Sequence, residues 1–284
     1  MIFTDSACDI SPELLKEWGV RALPLSFRFN GEEREYSNYE MTSSEFYGRM
    51  REGSVAKTAA VNTASFKKDF LECIEDGYDI LYIGFSTGLS TTYNSARLAA
   101  EEIKGEYPDA RILTVDTLAA SAGEGLILYL VKEKKKAGAS LEEAYVYARE
   151  ISGSVSHWFT VDDLVYLKRG GRVSPTLAFV GNLMGIKPVM HVDDHGHLVS
   201  HSKARGRRGS IAAMADKYTE LGIKPEGDTV FISHADCLSD AELLADMIEK
   251  KHGVKVGLIT DVGPVIGAHS GPGTLALFFI GKER

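Results

Sequence analysis

Short runs of consecutive apolar residues, such as DILYI and LALFFI, alternate along this chain with longer stretches whose apolar positions recur at helical spacing. A short run buried on both faces reads as a strand in a sheet with parallel pairing, and the amphipathic stretches read as the helices that cover it. The pattern predicts an α/β fold. In the first half, strands are expected at 1–4, 21–29, 79–85 and 110–115, under a three-layer α/β/α arrangement. Several helix starts are marked chemically. Ser11 before Pro12 is an N-cap with proline at the first helical position, while Thr42 with Glu45 and Ser140 with Glu143 have the capping-box spacing. Asn30-Gly31, directly after 26–29, signals a reversal into a small hairpin.

The second half reads as six strands, at 156–161, 187–192, 197–203, 229–234, 254–260 and 274–280, with the turn at 193–196 closing an antiparallel hairpin between two of them. A mixed six-stranded sheet follows. All eight histidines fall at or after His157, and this shift in composition places a domain boundary near residue 155, giving domains 1–155 and 156–284. A chain of 284 residues is long enough for two domains.

Charge and cysteine content narrow the function classes. Lys and Arg number 32 against 40 Asp and Glu, a net charge of -8 that disfavours general binding to nucleic acid or to an anionic membrane. Cys8, Cys73 and Cys237 form no close pair, which fits a reducing compartment, and neither a leader nor a membrane span is apparent. A soluble cytoplasmic protein is expected.

The most informative window is GFSTGLSTTYNSA, 84–96, at the carboxyl end of DILYI and leading into a helix. Loops at that edge of an α/β sheet meet helix N-termini, and Ser86, Thr87, Ser90, Thr91 and Thr92 add hydroxyl donors, a setting for a carboxylate or phosphate. The plainer alternative is a capped helix after a polar turn. The same window contains GFSTG, which matches the nucleophile-elbow pattern and would make Ser86 the nucleophile of a serine hydrolase with His269 as its base. Against that stand the extra Leu89 and Ser90 before the helix and the lack of a His-Gly-Gly segment upstream. TDSACD, 4–9, reads as a loop held open by its short polar side chains, with Asp5 as a general base or metal ligand the weaker alternative.

YLKRGGRVS presents Arg172 on a glycine-broken turn, where a guanidinium suits a carboxylate or phosphate, and KARGRR is a basic patch within an acidic protein. In GAHSGPGT, three glycines and a proline leave little bulk beside His269. The histidines of HVDDHGHLVSH spread along a hairpin, so no metal site is expected. The chain carries no GxxxxGK[ST] or GxGxxG element, so an autonomous nucleotide-driven enzyme lacks its usual equipment and any ATP would sit elsewhere.

Taken together, TDSACD, KTAAVNTASF, GFSTGLSTTYNSA, DTLAASAGEG, FTVDDLVYLKRGGRVS, KPVMHVDDHGHLVSHSKARGRR and IGAHSGPGTL resemble the DegV family, in order and over essentially the whole chain. The resemblance implies a two-domain α/β protein that binds one long-chain fatty acid. It also implies the role of the fatty-acid-binding subunit, FakB, of a fatty acid kinase serving phospholipid metabolism, whose partner FakA brings ATP and Mg and phosphorylates the carboxylate. Ser90 then corresponds to the serine of the family's SGTY element and Thr58 to the threonine of its TSQPS element, the two hydroxyls that hold the carboxylate. Arg172, Arg205 and His269 correspond to residues about the exposed head group that support phosphoryl transfer or docking. Two departures bear on ligand geometry and chain-length preference: TSQPS appears as Thr58, Ala59, Ala60, Val61, Asn62, and the SGTY glycine is Thr91. A third, Ser270, stands in the family's HTGPG element.

A long acyl tail, at about 0.8 kcal/mol per buried methylene, offers a gross driving force on the order of 10 kcal/mol before ordering costs. Its channel is expected to be lined in part by the apolar stretch 177–186, through Phe179, Leu183, Met184 and Ile186, although a plain core helix would have the same composition. Drawn from water, a carboxylate needs strong hydrogen bonds or it takes up a proton. Hydroxyl donors supply them without neutralising the oxygen that must attack phosphorus.

Overall fold

The computed structural model describes residues 1–173, 185–223 and 229–284. The expected first-half strands assemble into an all-parallel sheet in the order β2-β1-β6-β7, where β1 is Ile2–Asp5, β2 Val20–Leu23, β6 Ile80–Gly84 and β7 Ile112–Asp116. Every residue of β1 and β6 is buried because helices cover both faces. On one face, Phe3, Ile80 and Tyr82 pack on Phe66 and Phe70 of α3 (Thr63–Glu75) and on Ala96, Ala99 and Ile103 of α4 (Thr92–Glu106). On the other, Ile2, Leu81 and Ile83 meet Leu126, Ile127 and Leu128 of α5 (Ala122–Lys136) and Ala144 and Ala148 of α6 (Leu141–Ser152). The alternation of these residues between faces is the two-residue period of a strand.

All six second-half strands form and join in one mixed sheet, in the order β10-β9-β8-β13-β11-β12. They are β8 (Val155–Thr160), β9 (Ile186–Val192), β10 (Leu198–Arg205), β11 (Val230–His234), β12 (Val256–Asp261) and β13 (Leu275–Ile280). Only β11 and β12 pair in parallel. One face, with Trp158, Ile232 and Leu277, is covered by α8 (Gly206–Leu221) and α9 (Leu238–His252). The opposite face turns Val155, Phe159, Phe231 and Phe278 into the same core as α5. Lying between two sheets, α5 is buried without a break from Ala122 to Leu128.

The structure corrects one expected strand. The run 21–29 divides into β2 and β3 (Ser26–Phe29), which belong to different sheets. Pro24 has no N–H for a ladder, and the Leu25 N–H donates to Ser6 Oγ at 2.9 Å instead. β3 pairs with β4 (Tyr36–Ser37) across the reversal at Asn30-Gly31, where Gly31 has φ +85°, and with β5 (Ala56–Ala59) on its other side. Phe27 and Phe29 pack there against Phe46 and Tyr47 of α2 (Ser43–Arg51).

The caps form as the spacing predicts, with one difference. Ser11 accepts from the Leu14 N–H at the start of α1 (Pro12–Glu17), and Ser140 with Glu143 makes the reciprocal box. At Thr42 only the half from the Glu45 N–H is present. Of the apolar stretch 177–186, Phe179, Leu183 and Met184 lie outside the described residues. Ile186 opens β9 rather than continuing a helix, directly after Gly185 at φ +80°. Among the described residues no helix is long and apolar enough to cross a membrane.

Candidate functional site

The loop after β6 is positioned by Asp5 at the end of β1. Its buried carboxyl accepts from the Ala7 N–H at 3.0 Å, the Tyr82 hydroxyl at 2.6 Å and the Phe85 N–H at 3.1 Å, and burial raises its pKa. TDSACD is therefore a loop-holding element, as its short polar side chains suggest.

Ser86 is not placed as a nucleophile would be. Its hydroxyl is fully buried, donates to the Gly196 carbonyl at 3.0 Å and accepts from the Gly88 N–H at 3.1 Å. Gly88 has no room for a side chain, because a β-carbon there would stand 2.8 Å from the Gly196 carbonyl oxygen. GFSTG is thus the junction where the β6 loop packs on the β9–β10 turn. The proposed base is occupied elsewhere: His269 Nε2 shares a 2.8 Å hydrogen bond with Thr58 Oγ1.

Beyond this junction the chain delivers Ser90. Its Oγ accepts from the Thr92 N–H at 3.2 Å and lies 2.9 Å from Thr92 Oγ1, at the entry to α4. Thr91 has φ -86° and ψ -1°, so a threonine stands where the family's motif has glycine without backbone strain. Asn62 likewise fills the place of the motif's last serine by capping α3, accepting from the Ser65 N–H at 2.9 Å.

Facing Ser90 are three side chains brought from distant segments. Thr58 comes from β5, and His269 from the last turn of α10 (Pro264–Ser270). Burial, with Arg172 second, pushes the His269 pKa down to about 4, so the ring is neutral at pH 7. The Gly-Gly-Arg sequence after α7 (Val165–Arg169) divides its tasks. A β-carbon on Gly170 would collide with His269 Nδ1, and Gly171 takes φ +69°. Arg172 donates from Nε to the Leu89 carbonyl at 3.2 Å and from Nη1 to the Gly170 carbonyl at 2.5 Å. Burial lowers the guanidinium pKa, yet a guanidinium remains charged at neutral pH.

These groups stand at one end of a cavity of about 550 Å³, within the size range of small-molecule sites. It lies between the carboxyl edge of the parallel sheet and the inner face of the six-stranded sheet. Phe85, Leu89, Val265, Phe159, Val192 and Phe278 make most of the wall apolar. Ser90, Thr58, Arg172 and His269 all line it. Arg205 does not: it is exposed at the end of edge strand β10. Nor does Ile186, which pairs with Arg205 on that edge. His191 stacks on Trp158 with His201 against the same ring, while His195 and His197 sit at the turn. Among the described residues no three metal-ligating side chains converge.

Sequence reasoning missed a second polar group on this wall. Ser121 Oγ donates to Asp9 Oδ2 at 2.5 Å and lies 2.9 Å from Ser233 Oγ, and the Gly263 N–H donates to Asp9 Oδ1 at 2.9 Å. This cluster ties the β1 loop, the start of α5 and β11 together. Burial raises the Asp9 pKa to about 7. Strain marks the spot, since Asp9 and Ser121 both have positive φ, +53° and +54°, but no sequence signal announces it. His157, also on the wall, is fully buried, and burial first, then Arg284 and His191, lowers its pKa and keeps the ring neutral.

A family model described as an uncharacterised protein of the DegV family matches residues 1–282. The chain is 43% identical to a DegV domain-containing protein of Clostridium perfringens, over 100% of this chain and 98% of that one. It is 34% identical, with the same coverage of the two chains, to a fatty acid-binding protein of Thermotoga maritima. Its fold is similar to the crystal structure of a DegV lipid binding protein from Thermotoga maritima, with a TM-score of 0.83, 32% identity and coverage of 100% and 98%.

Proposed function

This chain belongs to the DegV family, and from that and from the cavity we propose that it binds one long-chain fatty acid and presents the carboxylate to an ATP-bearing kinase subunit. One observation carries the reading: a largely apolar cavity of about 550 Å³ ends in hydroxyls, a neutral imidazole and a guanidinium, with no carboxylate side chain among the described residues of its lining. The tail is driven into the apolar part by burial of methylenes. Ser90 and Thr58 donate to the carboxylate, and Arg172, fixed on two backbone carbonyls, supplies positive charge beside it.

In the transfer step a carboxylate oxygen attacks the γ-phosphorus of ATP as the bond to the bridging oxygen of ADP breaks, giving an acyl phosphate and ADP. Positioning and charge neutralisation are what a protein contributes to such a step, and the partner brings the nucleotide and Mg. Here His269 orients the Thr58 hydroxyl, and Arg172 and the exposed Arg205 meet the incoming negative charge. The three free cysteines are consistent with work in a reducing cytoplasm.

The test is mass spectrometry of organic extracts of the purified protein, followed by incubation with ATP and a fatty acid kinase subunit and trapping with hydroxylamine. One fatty acid per chain and a hydroxamate product are expected. A protein that carries and takes up no fatty acid overturns the reading. Stoichiometric binding without acyl phosphate, across kinase subunits that phosphorylate other fatty-acid-loaded partners, leaves a carrier and removes the kinase role.

A further inference from the structure

The polar groups of the cavity fall at two levels along β13. Thr274, next to its start, donates to the Ser270 and Gly271 carbonyls and so marks the end where His269 stands. Phe278 lies four residues further on, about 14 Å at the rise of an extended strand. It pairs across the sheet with His157, whose ring meets it edge-on at 5.5 Å. His157 is therefore at the inner end, far from the carboxylate donors.

That imidazole is 1% exposed, and neither ring nitrogen makes a hydrogen bond. The Val155 backbone acts on the ring and opposes the lowering of its pKa. Its surroundings make room for it. The first turn of α5 crosses over the ring at Gly123, where a β-carbon would stand 2.5 Å from Nε2. The other inner hydroxyls are engaged, Ser121 and Ser233 with each other and with Asp9. An unbranched alkyl tail passing His157 would leave a buried donor and a buried acceptor unpaired.

We propose that the inner end of the cavity is a second polar subsite, in which His157 holds a hydroxyl carried by the acyl chain, so that the favoured ligands are hydroxylated long-chain fatty acids. A hydroxyl both donates and accepts, so it can partner the ring nitrogen that faces the cavity whether that nitrogen carries the proton or not. The subsite rests on the fatty-acid reading above, and its position selects where along the chain the oxygen must be.

The experiment measures affinities of the lipid-free protein for octadecanoic acid and for a series of monohydroxyoctadecanoic acids with the hydroxyl stepped along the chain. One position, or two neighbouring ones, should bind about tenfold more tightly than octadecanoic acid. His157→Phe should bring that ratio close to one, and His157→Gln, which keeps a donor and an acceptor, should retain part of it. A flat series in the unaltered protein overturns the subsite, as expected if an ordered water already satisfies the ring, and needs no variant to fold. A preference that survives His157→Phe overturns it too. If octadecanoic acid and all its hydroxy derivatives fail to bind, the fatty-acid reading itself falls and takes the subsite with it.

Discussion

Among the polar seams that join the two halves of this protein, those at Asp9 and at Thr58 are made of opposite kinds of groups. The seam at Asp9 is closed. A carboxyl there accepts from Ser121 and from the Gly263 N–H, and the Thr260 hydroxyl donates to the Asp9 carbonyl. The seam at Thr58 and His269 is open to the cavity, rich in donors and, among the described residues, without a carboxylate of its own. One has its acid built in; the other lacks one. The difference teaches where an acid ligand can be received, since a second carboxyl beside Asp9 would find its donors spent, whereas Ser90 and Thr58 offer hydroxyl donors to one.

The most damaging single change to the open seam is expected at Gly170. Gly170→Ala places a methyl on His269 Nδ1, which breaks the bond to Thr58 and overpacks the turn. A loss of about 1–3 kcal/mol in urea unfolding is expected, together with weaker fatty-acid binding. Next is Ser90→Ala, which removes a donor to a charged group and should weaken fatty-acid binding by roughly 10- to 100-fold in a displacement titration. Unchanged affinity would mean that the carboxylate does not sit at Ser90.

The closed seam is tested by pH. Asp9 keeps its proton in the folded protein up to about pH 7, while a carboxyl in the unfolded chain ionises near about pH 4. Between these values the folded state holds more protons, so the stabilisation is complete below about pH 4 and is lost as pH rises through about 7. Taken alone this lowers the melting temperature from pH 5 to pH 8. It works against the rise that the lowered pKa values of His157, His191 and His269 give up to the free histidine value of about 6.5, so the Asp9 share is read as the difference between the unaltered protein and Asp9→Asn. Asp9→Asn should flatten the fall in part, with Asp5 and Glu124, both raised by burial, contributing to the rest.

A finer distinction comes from His269, whose titration followed by NMR should lie near about 4 in the lipid-free protein. A carboxylate bound beside it should raise that value, and an unmoved titration on loading would place the head group elsewhere. The smallest effect is expected for Thr91→Gly. Thr91 makes no side-chain cap and has ordinary φ, so stability should change by no more than about 0.5 kcal/mol in thermal unfolding.

The strand pattern, the caps at Ser11 and Ser140 and the hairpin at 193–196 were all legible in sequence, because each depends on contacts within a few residues or on the two-residue alternation of a buried strand. Arg172 could be singled out by residue type and local turn chemistry, whereas Ser90 stood among the hydroxyls of its window and was set apart only by the family resemblance. The break at Pro24 also lay in plain view, yet which sheet each half of 21–29 would join did not, since pairing partners are chosen by the packing of the whole.

What only the tertiary structure decided is which groups face one another. Thr58 and His269 are 211 positions apart, and Asp9 meets Ser121 across 112. The buried hydroxyl of Ser86 shows the same limit from the other side: five residues matched a catalytic pattern, and a carbonyl from the β9–β10 turn claimed the proton that the pattern would have used. Local sequence sets which conformations a segment can adopt at low cost. Which donor finds which acceptor is settled by burial, where an unpaired polar group is expensive enough to select one long-range arrangement over its neighbours.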